Sequence, residues 1–340
     1  LLDADPTVAM VSLSYTDGSY YCGCPDCMAL DEPDVPRDQS MSRRTLIFYN
    51  AVAEELMKTH PNAKILAGAY HVYNKPPADP ALKAHPALSL VLCHYTTYCN
   101  LHPVNDPTCP PNVEYDKLLK DWQRLIPDVY FYEYYHSGGS WYWPFQLVHA
   151  IRTDIPYFRE IGCKGLYTQY GAIWDNFINY YIAGKLLWDT DADVDGLLDE
   201  LYDKFFGPAR EPMAKYYTTV IRTLGDTDVH ACTCSFGRKG REVFTDELLA
   251  ELRGLLEEGK RLAQDDRLVS ARLRKGDTSQ EWAERFAKYF DLRKAALELP
   301  PGEERHQAAV RALEHIETLC DEVTRDRRKW EGVAPSGTGG

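Results

Sequence analysis

Up to about residue 171, short apolar runs alternate with amphipathic stretches. The runs 8–16, 65–73, 88–96, 129–135 and 164–171 are rich in Val, Ile, Leu and Tyr and are bounded by Pro, Gly or Asp, the pattern of strands. Between the first two, residues 41–59 predict a helix with Phe48, Val52 and Leu56 on its apolar stripe and Pro61 just past its end. Residues 114–125 and 144–160 predict two more helices, whereas the interval between the second and third runs is mostly Pro-rich loop. Strands that alternate with helices predict a parallel sheet, either doubly wound or closed as a (β/α)₈ barrel.

From about residue 172 the period changes to that of helices alone. Residues 174–188, 194–205, 211–224, 245–262, 280–297 and 303–329 carry it, with Gly207-Pro208 and Pro300-Pro301-Gly302 as punctuation. The pattern divides the chain into a barrel-type part, 1–173, a helical region, 174–333, and a disordered tail, 334–340. The charge run at 325–329 reads as a solvated helix face.

Composition narrows what such a fold would do. The 340 residues are 44% hydrophobic and 12% aromatic, enough for a full core, and carry a net charge of −13. That charge argues against nucleic acid or an anionic membrane surface as partner, because phosphates are held by clustered Lys and Arg. No apolar run is long enough to insert in a membrane. No Gly-rich phosphate motif follows any strand, which favours the barrel over an open nucleotide-binding sheet. Instead the strands end in groups suited to a sugar: Asp17; Tyr70, His71 and Tyr73; His94 and Tyr95; Glu133, Tyr134, Tyr135 and His136; Gln169 and Tyr170. Rings stack on sugar faces, and carboxylates among them move protons. Trp141 and Trp143, in a Gly-rich loop, and Trp174 extend this predicted oligosaccharide platform.

Ten cysteines are present. Cys22, Cys24 and Cys27 crowd one turn, Cys93, Cys99 and Cys109 share a loop-rich stretch, and Cys232 and Cys234 form a close pair. The first two groups suit either a structural zinc site, with Cys93, Cys99, Cys109 or His94 as fourth ligand, or disulfides of an exported protein. Either outcome staples the rim; no cofactor is expected for catalysis. Cys163, beside Gly162, reads as a small core residue.

Several of these segments resemble a known family. The stretch from Val11 to Asp17, followed by Cys22-x-Cys24-x-x-Cys27, then 48–56 and Ala69-Tyr70, is similar to a bacterial family of unknown function grouped with glycoside-hydrolase TIM barrels. Gly162-Cys-Lys-Gly165, residues 179–189 with their Lys-Leu-Leu-Trp-Asp, Asp193-Val-Asp195 and Phe206-Gly207-Pro208-Ala209 resemble its barrel end and helical start. The likeness covers roughly residues 8 to 220. It implies an extracytoplasmic, carbohydrate-active protein acting on an oligosaccharide or glycoprotein glycan. Some relatives are endo-β-N-acetylglucosaminidases of complex N-glycans. It also implies a preceding portion of the same protein that carries the first strands, so that the five strands here are the last five of eight. Asp17 and Glu133 then fall on the fourth and seventh strands, where many such barrels carry their carboxylates.

Glu133 is accordingly the candidate general acid, and Asp17 its nucleophilic or polarising partner. With an N-acetylated sugar, the substrate acetamide could itself be the nucleophile. Strict alternation places Glu133 on the face of Val129, Phe131 and Tyr135, opposite Tyr130, Tyr132 and Tyr134. The alternatives are a buried, hydrogen-bonded structural carboxylate for Glu133, a turn residue for Asp17 and structural roles for the histidines. At the level of function they are a non-catalytic carbohydrate-binding or scaffold barrel, and an α-glucuronidase-like enzyme. Only Lys75 lies near a strand end to meet an acidic sugar, which ranks the last lower.

Overall fold

The structure, a computed structural model, describes residues 2–5, 7–14, 21–36, 39–95, 98–136, 143–169 and 173–330, with the backbone alone at 173–175, 323–324 and 326–330. Five strands, β1 (Met10–Leu13), β2 (Lys64–Ala69), β3 (Leu88–Cys93), β4 (Val129–Glu133) and β5 (Gly165–Thr168), pair in sequence order, every pair parallel. They curl as half of a barrel. The expected strands are all found, but shorter at their C-terminal ends. Beyond Ala69 the chain turns into a 3₁₀ turn, His71–Tyr73, entered through His71 at φ 49°. Part of each of the other predicted ends at 15–16, 96 and 170–171 lies outside the described residues.

Helices cover one face of the sheet. A one-turn helix α1 (Pro25–Met28) precedes α2 (Ser42–Leu56); α3 (Pro110–Leu125) and α4 (Val148–Glu160) follow β3 and β4. Ile65, Ala67, Ala69, Leu88, Leu90, Leu92, Val129 and Phe131 point at them and form one core with Leu46, Tyr49, Tyr115, Leu119, Trp122 and Phe158. The closest packing is Phe131 on Phe158, with ring centroids 3.8 Å apart. The buried stripe of α2 differs from the expected one. Leu46, Tyr49 and Ala53 face the sheet, while Phe48 is 41% exposed. The Tyr49 hydroxyl explains the rotation, since it reaches under β2 to donate to the Gly68 carbonyl at 3.2 Å. Helix α4 ends in a Schellman turn. Gly162, at φ 82°, lets its N–H bond the Arg159 carbonyl and the Cys163 N–H bond that of Phe158. This reversal feeds β5.

The helical region follows as α5 (Ile173–Trp188), α6 (Val194–Phe206), α7 (Arg210–Gly225), α8 (Phe236–Val243), α9 (Asp246–Leu262), α10 (Arg267–Glu298) and α11 (Glu303–Trp330). Asp193, Thr245 and Asp266 cap α6, α9 and α10 by accepting backbone N–H groups. Two elements depart from expectation. Helix α8 was not predicted, and α10 begins at Arg267 rather than near residue 280. The polar stretch 276–279 looks like a break, yet Arg253 and Lys260 of α9 bond Asp277, and Arg253 bonds Glu284, which hold it helical. One large core joins α4 through α11 to the chain around Cys99–Leu101 and Tyr135. No helix among the described residues is long and apolar enough to cross a membrane.

Candidate functional site

The open face of the sheet carries a row of tyrosines. Register places Cys93, Tyr132 and Tyr167 side by side on β3, β4 and β5, opposite the helix-facing Leu92 and Phe131. Tyr167 lies edge-on to Tyr132 at 4.6 Å between centroids, and Tyr132 meets Tyr134 at 5.0 Å. The row continues along the C-terminal rim: Tyr134 to Tyr95 at 5.0 Å, Tyr95 to Tyr70 at 5.4 Å, and Tyr70 to His71 at 5.8 Å. Tyr167 is 45% exposed, Tyr70, His71, Tyr95 and Tyr132 are half-buried, and Tyr134 is buried. At one end His136 pairs with Gln169 at 3.1 Å, and its burial holds the imidazole below its usual range despite that bond. At the other, His71 keeps a buried Nδ1 without a hydrogen-bond partner among the described residues. A left-handed histidine with an unspent polar atom is the kind of strain found at ligand sites.

Tyr70, His71, Tyr95, His136 and Gln169 are thus brought together, with Tyr73 buried just behind Tyr70. Tyr134 joins them as expected of a strand-end ring, whereas Tyr132 and Tyr167 are additions to the expected set. Alternation from Val129 puts Tyr132 on the same face as Tyr134, opposite the parity that holds Glu133.

Glu133 lies on the helix side, 1% exposed. Its Oε2 meets His94 Nδ1 at 3.1 Å, and the His94 ring stacks on Tyr115 of α3 at 4.4 Å. Burial opposes protonation of His94, but the charge and hydrogen bond of Glu133 outweigh it and raise its pKa above the usual range. Asp154, on α4, accepts the Val104 N–H at 2.7 Å, and burial pushes its carboxyl well above the carboxylate range. Tyr135 is also buried in this nest, where its hydroxyl, that of Tyr115 and Glu133 Oε1 have no hydrogen-bond partner among the described residues. His94, Glu133 and Tyr135 therefore stand together, but apart from the tyrosine row.

Trp143 is a core residue, 1% exposed, stacked on Phe244 at 5.4 Å and donating to the Gly237 carbonyl. It fills the space that Gly240 leaves; a Cβ there would come within 2.3 Å of its ring. Asp17, Trp141, Tyr170 and the Trp174 side chain lie outside the described residues.

The thiols of Cys22, Cys24 and Cys27 gather within 4.8 Å of one another, and Cys22 and Cys24 are exposed. None of Cys93, His94, Cys99 or Cys109 joins them. Their turn is held by Arg44 of α2, which donates to the Cys22 carbonyl at 3.0 Å and to Asp31 at 2.6 Å. Cys99 and Cys109 gather elsewhere, with His102 and His230, while Cys232 and Cys234 are joined as a disulfide.

Fold and rim together define a parallel α/β half-barrel with an aromatic open face, backed by a helical region. The chain belongs to the family described as Domain of unknown function (DUF4838), which it matches over residues 1–219, a span that holds all five strands and the helices through α6. No curated protein and no solved structure matches it.

Proposed function

We propose that the tyrosine row is a glycan platform, and that the chain supplies the binding half of a glycoside-hydrolase-type barrel. The observation that carries this reading is the continuity of the rings from His71 to Tyr167 across four strand ends. Phenol rings offer an apolar face to a sugar ring and a hydroxyl to its edge, which suits a neutral, extended ligand. The acidic net charge agrees with such a ligand.

The finer reading is hydrolysis of a β-linked glycan, of the endo-β-N-acetylglucosaminidase kind on complex N-glycans. Asp17, which follows β1, would polarise and Glu133 would protonate the leaving oxygen, outside the cytoplasm. The burial of Glu133 beneath α3 and α4 favours a second reading, in which the face binds glycan without cleaving it and the Glu133–His94 pair holds the ends of β3 and β4 in place. The test is a glycan array with the whole chain, followed by release of glycan from a complex N-glycoprotein. Binding lost in Tyr132→Ala supports the platform, and binding unchanged in that variant removes it. Release that fails in folded Glu133→Gln supports hydrolysis through that residue, whereas binding without release supports the second reading.

A further inference from the structure

Four metal-type side chains converge where the loop between β3 and α3 meets the segment between α7 and α8. They are Cys99, His102, Cys109 and His230, and their donor atoms all lie within 4.8 Å of one another. Each thiol faces an imidazole: Cys99 Sγ is 3.2 Å from His102 Nδ1, and Cys109 Sγ is 3.3 Å from His230 Nδ1. With zinc–sulfur bonds of about 2.3 Å and zinc–nitrogen bonds of about 2.0 Å, the edges of a ligand tetrahedron are about 3.5 Å long. The two thiol–imidazole edges are already near that length, and the other donor pairs lie within 4.8 Å.

The surroundings are built to hold these donors. His102 donates its Nε2–H to the Thr227 carbonyl at 2.8 Å, which fixes the tautomer and leaves the Nδ1 lone pair aimed at the thiols. Asn112, at 0% exposure, donates to the carbonyls of Cys99, His102 and Pro103, and accepts the Cys99 N–H at 2.9 Å. The second ligand loop is tied to the first. The Asn100 N–H donates to the Ala231 carbonyl and its side chain accepts the Thr233 N–H, while Lys239 holds the His230 carbonyl at 2.6 Å. Cys232 is taken up in its disulfide and is no competitor.

We propose that Cys99, His102, Cys109 and His230 form a closed, tetrahedral zinc site that fastens the half-barrel to the helical region. Four protein ligands leave no open position, so the metal is structural. Both cysteines bind as thiolates, and their protons pass to solvent as the metal enters. Cys22, Cys24 and Cys27 offer three sulfurs and no imidazole, a different ligand set that spectroscopy separates.

The test uses the whole chain purified without chelator. One zinc per chain is expected by elemental analysis. X-ray absorption on that protein should give a shell of two sulfurs and two nitrogens, and cobalt exchange should give the visible bands of a tetrahedral dithiolate site. His230→Gln should lose the metal to a competing chelator that leaves it in the unaltered chain, and Cys22→Ser/Cys24→Ser/Cys27→Ser should keep it. Zinc-free protein, with Cys99 and Cys109 recovered either as thiols or as a disulfide, would overturn the proposal. So would a three-sulfur shell, or metal lost only from the triple variant. If His230→Gln does not fold, the absorption shell of the unaltered chain decides alone.

Discussion

Strand β4 carries two chemistries on alternate residues. On the helix side Val129, Phe131 and Glu133 are almost completely covered, and on the open side Tyr130 and Tyr132 remain half-exposed. Neighbouring positions on one strand therefore do different work. A covered group changes the free energy of folding when its charge or volume changes, because it has no water to fall back on. A group on the open side is available to a ligand and contributes less to the fold. The comparison teaches that burial of a carboxylate and its place beside an open aromatic face are separate properties, even one residue apart.

The largest effect expected from this contrast is on the covered side. Phe131→Ala removes the ring that stacks on Phe158 and should cost about 3–5 kcal/mol in urea unfolding. Tyr132→Ala should cost about 1 kcal/mol, as for a partly exposed side chain. Equal costs for the two would break the comparison. Next comes Glu133→Gln, which keeps a polar partner for His94 but removes its charge. Near pH 6 the variant should be less stable by about 1–3 kcal/mol.

That cost should depend on pH. In the unfolded chain His94 titrates near its ordinary 6.5, and in the folded chain higher, because Glu133 more than offsets burial. The stability it contributes is fully present below about 6.5 and is lost as pH rises through the folded value. Asp154 has the same sign. Burial raises its folded pKa above the ordinary 3.8, so its contribution is present below that value and lost as pH rises through the raised one. The protein should therefore be more stable at pH 6 than at pH 8.5 by urea titration. Glu133→Gln should flatten the part due to His94, and Asp154→Asn, which keeps the acceptor for Val104, the part due to Asp154. A stability that rises over this range would show that the nest is not as covered as its burial implies.

Much of the architecture could be read from periodicity. The five apolar runs became five strands in order, since a strand packed under helices must present an apolar residue to them at every second position whatever surrounds it. Distant contacts were not legible. Phe48 and Tyr49 are neighbouring aromatic residues, and the choice between them depends on a carbonyl at Gly68 that accepts the Tyr49 hydroxyl. The stretch 276–279 looks like a break because its partners Arg253 and Lys260 lie on another helix. At the rim, Tyr70, His71, Tyr95, His136 and Gln169 were legible as strand-end residues. Which side of β4 faces the open surface was not, because both parities are rich in apolar and aromatic groups and only the packing of Phe131 on Phe158 separates them. His230 is 121 residues from Cys109, so no local spacing could associate it with the cysteines.

The smallest effect is also the sharpest on the open side. Tyr167 is the most exposed ring of the row and touches Tyr132 only by its edge. Tyr167→Ala should leave unfolding within about 0.5 kcal/mol of the unaltered chain, as for surface substitutions. If a sugar ring stacks there, the lost aromatic contact is about 0.5–1.5 kcal/mol, or a two- to tenfold weaker glycan affinity by calorimetry. Tyr167→Phe should retain most of that affinity, because the ring face is kept and only the hydroxyl is removed. Equal losses in the two variants would assign recognition at this position to the hydroxyl. No loss in either would end the platform at Tyr132, and with it the claim that the row acts as one surface across the strand ends.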